Sequence, residues 1–225
     1  MAIIVEKLKL IYFLTPGTGS TATGDFLVNN YECKNVPETD IKNPDGQILV
    51  RGKHSSFSEL KKANLLNKQQ LQYLKVTGVR NPYDFFYAEW YRHRTRWVIE
   101  LRNRKSWVFN NKNKLQEIVD CVTMDFSEWI IKKLGQNYKI KRQLMLYEEY
   151  LTDINMFVRM ENIDEDMSKV LSQCLGVPEA EVQVSVPEVN VTKREREYWK
   201  FYAEKARTFV EFVYKPYLSK FNYFF

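Results

Sequence analysis

Three short stretches hold residue types that could do chemistry. The first is "TPGTGST", residues 15–21, where an apolar run halts at Pro16 and glycines and hydroxyl side chains crowd together. A strand, a glycine-rich turn and a helix in that order make an anion site. The first helical amides lack intrahelical acceptors, and the positive end of the helix dipole points the same way. Gly17 and Gly19 let a ligand approach the backbone, and Thr18, Ser20, Thr21 and Thr23 add hydroxyl donors. The lysine of a GxxxxGK[ST] loop is missing, which disfavours an ordinary ATPase or GTPase, and GxGxxG does not fit either. The same residues also suit a plain strand-to-helix turn with a hydroxyl cap, and this stretch alone does not separate the two readings.

The second stretch, "GVRNPYD" at residues 78–84, repeats the strand-to-helix junction with Arg80 at the turn. A guanidinium donates two parallel hydrogen bonds to a phosphate; the alternative is a pair with a carboxylate such as Asp84. The third, "VRGKHSS" at residues 50–56, holds His54, one of only two histidines. An imidazole takes a proton near neutral pH and so suits a general base, while a capping or solvated histidine is the plain alternative. Glu59 and Glu89 are reserve bases that read as solvated helix carboxylates, and His93, between Arg92 and Arg94, reads as a surface residue.

The elements that must position these residues alternate. "MAIIVEKLKLIYFL" reads as a first strand and residues 18–29 as a helix in spite of Gly24. Residues 34–47 are turn chemistry throughout. "ILVRG" is a short second strand, and Ser56 with Glu59 three residues on forms a capping-box pattern. "LQYLKVTGVR" is a third strand, and Pro82 opens a helix that runs to about residue 101. An amphipathic helix closing on Gly135, a late strand "NMFVRMENI" and a helix ending at Gly176 follow. Residues 177–191 read as a long surface loop, and a C-terminal helix from about residue 193 is kinked near Pro216. Strands alternating with helices imply an α/β fold: three layers, with a central, mostly parallel sheet flanked by helices.

The 225 residues suffice for a single domain, residues 1–225, with a sizeable core. The net charge of +6 favours anionic partners: nucleotides, nucleic acid, sulfated or phosphorylated molecules, or an acidic membrane surface. Three scattered cysteines suggest neither zinc nor a disulfide framework, so reduced thiols and a cytoplasmic location are expected. No apolar run approaches the roughly 20 residues that span a bilayer.

"PGTGST" after the first strand and "VRNPYD" about sixty residues later resemble the two cofactor-binding elements of sulfotransferases. Further segments agree in order along the chain: "GKHSSFSEL", "FVRMENIDEDMSKVLSQCLGVP", and the tyrosine-rich C-terminal segment with its terminal aromatics. The resemblance is closest to the bacterial and Golgi-type carbohydrate branch and implies a P-loop-like fold. It implies 3′-phosphoadenosine 5′-phosphosulfate (PAPS) as donor and a carbohydrate or small-molecule hydroxyl or amine as acceptor, with no metal and no nucleic-acid partner. By the same resemblance, residues Gly17, Thr18, Gly19, Ser20 and Thr21 hold the 5′ side, and Arg80 the 3′-phosphate. Arg194 and Arg196 cover that phosphate, and His54 is the base.

The chain departs from the family pattern at three places. The basic residue of the first loop is Gly17 here, the serine of the second element falls on Ala88, and the arginine after its aspartate falls on Phe85. Lys53 is the first candidate to supply the missing cation and Arg51 the second, and one of Arg92, Arg94 and Arg96 is expected to face the cofactor. Three rivals remain open: nucleotide binding without turnover on the same fold, a nucleic-acid surface on the arginine–aromatic run "YRHRTRWVIELRNRKSW", and a P-loop kinase, which the missing lysine weakens. Arg159 and Glu161 read as a buried brace across the sheet, "YEEY" at residues 147–150 as acceptor-groove candidates, and Tyr223, Phe224 and Phe225 as packing.

Overall fold

A computed structural model describes residues 1–140 and 144–225, and the side chains of residues 1–135 and 148–225. In chain order the elements are β1 (Ala2–Val5), β2 (Leu10–Phe13), α1 (Ser20–Asn30), β3 (Lys34–Val36), β4 (Ile41–Lys42), β5 (Ile48–Val50), α2 (Phe57–Lys62) and β6 (Leu74–Val79). Then come α3 (Pro82–Arg92), a π-helical turn (His93–Trp97), α4 (Val98–Glu100), α5 (Lys112–Thr123), α6 (Phe126–Ile140), α7 (Leu144–Leu151), β7 (Met156–Arg159), α8 (Ile163–Leu175) and α9 (Glu204–Phe221). The chain divides into two compact units, residues 1–80 with 145–190, and residues 81–144 with 191–225.

The first unit is the α/β layer that the sequence implies. Its five-stranded sheet has the order β3-β1-β2-β6-β7. β2, β6 and β7 pair in parallel, and β1 pairs antiparallel with both β2 and β3, so only β1 runs against the other four. Side chains alternate across the hydrogen-bonded ribbon. Ile3, Val5, Leu10 and Tyr12 pack with Phe26 and Leu27 of α1 and Met167, Val170 and Leu171 of α8. Ala2, Ile4, Ile11 and Phe13 pack on the other face with Phe57 and Leu60 of α2. The helix α1, "STATGDFLVNN", is a poor helix former by composition. Burial of Phe26 and Leu27, worth about 1.5–3 kcal/mol for each side chain, therefore holds it more than propensity does.

Several expectations change here. The N-terminal run is two strands, not one: Lys9, at φ 48, turns the chain back after a 3-10 turn at Glu6–Leu8. The segment 34–47 is not all turn, since it contributes edge strand β3 and the short β4, which pairs with β5 outside the main sheet. Glu161 is exposed, and the carboxylate that takes the Arg159 fork is Asp166 of α8, at 2.8 and 2.7 Å.

The second unit is helical and rich in stacked rings. Phe126 meets Tyr202 edge-on at 4.6 Å, and Tyr87 stacks on Phe201 at 4.5 Å. Phe225 packs on Tyr83 at 5.1 Å, whereas Phe224 is 71% exposed and does not belong to the packing expected of it. Gly135 lies inside α6, not at a cap; the amphipathic run breaks earlier, where Asp125 and Glu128 exchange side-chain bonds to each other's amides. The C-terminal helix starts at Glu204, after an extended stretch and a 3-10 turn at Tyr198–Phe201.

Candidate functional site

Two turns and one loop of the first unit converge at the carboxyl ends of β2 and β6, where open α/β sheets gather their ligands. The turn after β2 carries Gly17 at φ 75 and Gly19 at φ 73, both left-handed. Gly19 caps α1, and Thr23 N–H bonding to the Gly19 carbonyl at 3.1 Å is its first helical bond. The amides of Ser20, Thr21 and Ala22 therefore precede the helical ladder, the arrangement that receives an anion.

The turn is seated firmly. Thr18 is fully buried and its hydroxyl donates to the Thr15 carbonyl at 2.9 Å. Thr15 and Thr77 hydroxyls meet at 2.5 Å, and Thr77 also donates to the Phe13 carbonyl at 3.1 Å. Gly78 of β6 is where Thr18 sits: a Cβ there would lie 3.0 Å from Thr18 Cβ and 3.1 Å from its carbonyl oxygen. Arg80, 5% exposed, reaches back from the end of β6 and donates to the Gly17 carbonyl at 3.0 Å. Thr15 and Thr77 are parts of this seat that sequence reasoning missed; hydroxyls at the ends of two adjacent strands, one beside a glycine, were the available signal.

The loop between β5 and α2 brings Lys53 and His54. His54 sits at φ 64 in the left-handed region, uncommon for any residue but glycine. Its Nδ1 lies 2.5 Å from the Leu14 carbonyl. A carbonyl only accepts, so Nδ1 carries the proton and Nε2 keeps its lone pair. Burial lowers the His54 pKa below 6.5; the Leu14 bond opposes this, and the charges of Lys53 and Arg51 reinforce it. Lys53 is exposed.

A network holds that loop in place. Ser56 and Glu59 form the capping box of α2 that the sequence shows. Glu59 also takes Arg51 Nε at 3.0 Å, and Glu149 of α7 accepts from Ser56 Oγ at 2.9 Å and from Arg51 at 3.4 Å. Tyr150 donates to the His54 carbonyl. Arg51 and Glu59 are thus engaged in the scaffold of the loop that carries Lys53 and His54. Glu149 and Tyr150, part of the "YEEY" stretch, brace the loop; the Tyr147 side chain lies outside the described residues.

The remaining candidates lie in the second unit. Arg194 pairs with Asp84 and lies over the Tyr87 ring at 5.4 Å; Arg196 is exposed. Arg92 pairs with Glu89 at 2.8 Å, and Arg94 donates to the Cys121 carbonyl at 2.6 Å at the end of α5. His93 is fully buried rather than on the surface, with Nδ1 on the Glu89 carbonyl at 2.6 Å and Nε2 between Lys114 at 3.0 Å and Glu117 at 3.2 Å. Ala88 is buried. An open groove of about 420 Å³ lies away from the site, at the amino ends of β2 and β6, and is lined by Lys9, Leu74, Lys75 and Cys174.

A family model described as "Sulfotransferase family" matches residues 1–224, across both units. No curated protein and no solved structure matches the chain.

Proposed function

The chain belongs to the sulfotransferase family, and from that premise we propose that it moves a sulfuryl group from PAPS to a hydroxyl or amine on a carbohydrate or small metabolite. The observation that carries this reading is the registration of His54 to the anion turn. Its Nδ1–H is held by Leu14, the residue that leads into the turn, so its basic Nε2 belongs to the same rigid piece as the amides of α1.

The residues present fit a nucleotide with two anionic ends. Gly17, Thr18, Gly19, Ser20 and Thr21 would hold the 5′ side through backbone amides and the hydroxyls of Ser20 and Thr21, and Arg80 the 3′-phosphate. When bound, PAPS supplies the sulfuryl group and leaves as adenosine 3′,5′-bisphosphate. His54 Nε2 takes the proton that the acceptor loses as it attacks; its lowered pKa keeps it neutral and receptive near pH 7. Lys53 supplies the positive charge that relatives carry at the position of Gly17, and stabilises charge on the leaving oxygen. Three cysteines that stand as free thiols support a reducing, cytoplasmic setting. The family match across both units supports reading residues 1–225 as one sulfotransferase-like domain.

Calorimetric titration with adenosine 3′,5′-bisphosphate tests the donor, with ATP and ADP as controls and Arg80→Ala beside the wild type. Binding that needs both the 3′-phosphate and Arg80 is the expected result; equal binding of ATP, or none, overturns it. Gly17 favours one other reading, nucleotide binding without turnover. Tight bisphosphate binding with no transfer to any hydroxyl or amine would establish it. Gly17→Lys restores the charge but puts a side chain at φ 75, a strain of about 1–2 kcal/mol. A rate gain in that variant would therefore come in spite of the backbone.

A further inference from the structure

The basic run of residues 94–114 takes no part in the site described above. It holds seven lysines and arginines against one acid, Glu100, a net of +6. The whole chain also nets +6, so its other 204 residues balance to zero. The entire charge excess of the protein sits on this one segment.

The same segment shows large apolar side chains to solvent: Ile99 is 59% exposed, Trp107 55% and Phe109 39%. Slack does not explain them. Ser106 N–H bonds the Asn103 carbonyl at 2.9 Å, Lys105 N–H the Asn103 side chain at 3.0 Å, and the Asn110 amide the carbonyls of Arg104 and Ser106 at 3.0 Å each. Val108 is fully buried and Ser106 nearly so, so the loop alternates anchor and display, with Trp107 and Phe109 on the exposed side of that alternation. Trp107 meets Trp97 edge-on at 5.6 Å, and Arg96 lies over Trp97 at 5.1 Å. Arg102, Arg104 and Lys105 are exposed on the same loop.

We propose that this pinned loop docks the protein onto an anionic lipid surface, with Trp107, Phe109 and Ile99 entering the interfacial layer and Arg102, Arg104 and Lys105 meeting the charged headgroups. Aromatic and aliphatic side chains ringed by cations are what such a surface takes up, and its attraction adds with each basic residue. A dissolved polyanion, whether nucleic acid or sulfated glycan, would use the cations and stack on a ring, yet leave Ile99 in water. Among the described residues no helix is long and apolar enough to cross a membrane.

Co-sedimentation with vesicles of phosphatidylcholine, alone or with phosphatidylserine, tests this, with tryptophan emission recorded in parallel. Binding should need phosphatidylserine, weaken with salt and shift the emission to the blue. The triple variant Arg102→Gln/Arg104→Gln/Lys105→Gln should partition about fivefold less per charge, on the order of 10²-fold in all. Trp107→Ser/Phe109→Ser should keep the salt-sensitive part and lose most of the emission shift, with the circular dichroism of both variants unchanged. Three results would each overturn the proposal: no preference for phosphatidylserine, variants that partition like the wild type, or binding to soluble heparin or RNA that matches or exceeds vesicle binding.

Discussion

Replacing Gly78 with alanine would drive a methyl group into the seat of the anion turn. The added Cβ would stand 3.0 Å from Thr18 Cβ, 3.1 Å from the Thr18 carbonyl oxygen, and closer still to its hydroxyl. Thr18 has nowhere to go: it is fully buried, its hydroxyl is tied to Thr15 at 2.9 Å, and Thr15 is tied to Thr77. Overpacking of this kind costs about 1–3 kcal/mol. In a chain of this size each kcal/mol lowers Tm by about 2–4 °C, so a fall of about 2–12 °C is expected by calorimetric melting. The same displacement should weaken binding of adenosine 3′,5′-bisphosphate by about tenfold or more, because the amides of α1 follow the turn. Thr18→Ala removes the nearest atom, so the double variant should recover part of both losses. Residues in contact couple in this way, whereas distant ones add. A Gly78→Ala protein that melts within about 1 °C of the wild type and binds nucleotide equally well would refute the reasoning, as would penalties that simply add in the double variant.

Burial holds the His54 pKa below 6.5, so the unfolded chain binds more protons than the folded one as pH drops below that value. Stability and transfer rate should both be complete above pH 6.5 and decline as pH falls through the lowered pKa, as read from urea midpoints and a pH–rate profile. His54→Ala should lose roughly 10²–10⁴-fold in rate yet still bind nucleotide; a variant that kept its rate would remove His54 from the chemistry. Asp166 is buried, which raises its pKa, but the side-chain and backbone hydrogen bonds of Arg159 outweigh this and hold it below 3.8. Its stabilisation should be present above pH 3.8 and lost as pH falls through the lowered value. Asp166→Asn should cost about 1–3 kcal/mol by urea unfolding at neutral pH, towards the lower end because Arg159 is 36% exposed. Ser56→Ala removes a cap and a bond to Glu149, so about 1–2 kcal/mol of stability should go. Its rate should fall more than its nucleotide affinity; an equal fall in both would mean that the loop does not act through His54.

Much of the framework around the candidate site was legible because its signals are local. A strand that stops at Pro16, a glycine pair, a capping box at Ser56 and Glu59, and Pro82 opening a helix behind the Asn81 cap each need only a few neighbouring residues, and all of them stand. The hairpin at Lys9 was hidden because its left-handed residue is a lysine, without the glycine or asparagine that usually marks such a turn. The break before α6 was visible in principle, since Asp125 and Glu128 have capping-box spacing, but the amphipathic pattern ran across it. Partners far apart in sequence could not be read at all. Arg194 finds Asp84 across 110 residues, Arg51 finds Glu149 across 98, and His93 is buried because α5 brings Glu117 and Lys114 to it.

One peptide unit, the Leu14 carbonyl, serves both as the end of β2 and as the anchor of His54. On the proposed function, the turn that would hold the donor and the imidazole that would take the proton are measured from the same mark. A change that slides the turn carries the imidazole with it, so donor affinity and turnover should drift together across variants of residues 14–20. Adaptation towards a new acceptor would therefore spare that mark and act through segments that lean on neither, and the hydroxyl or amine could be exchanged without recalibrating the step that transfers to it.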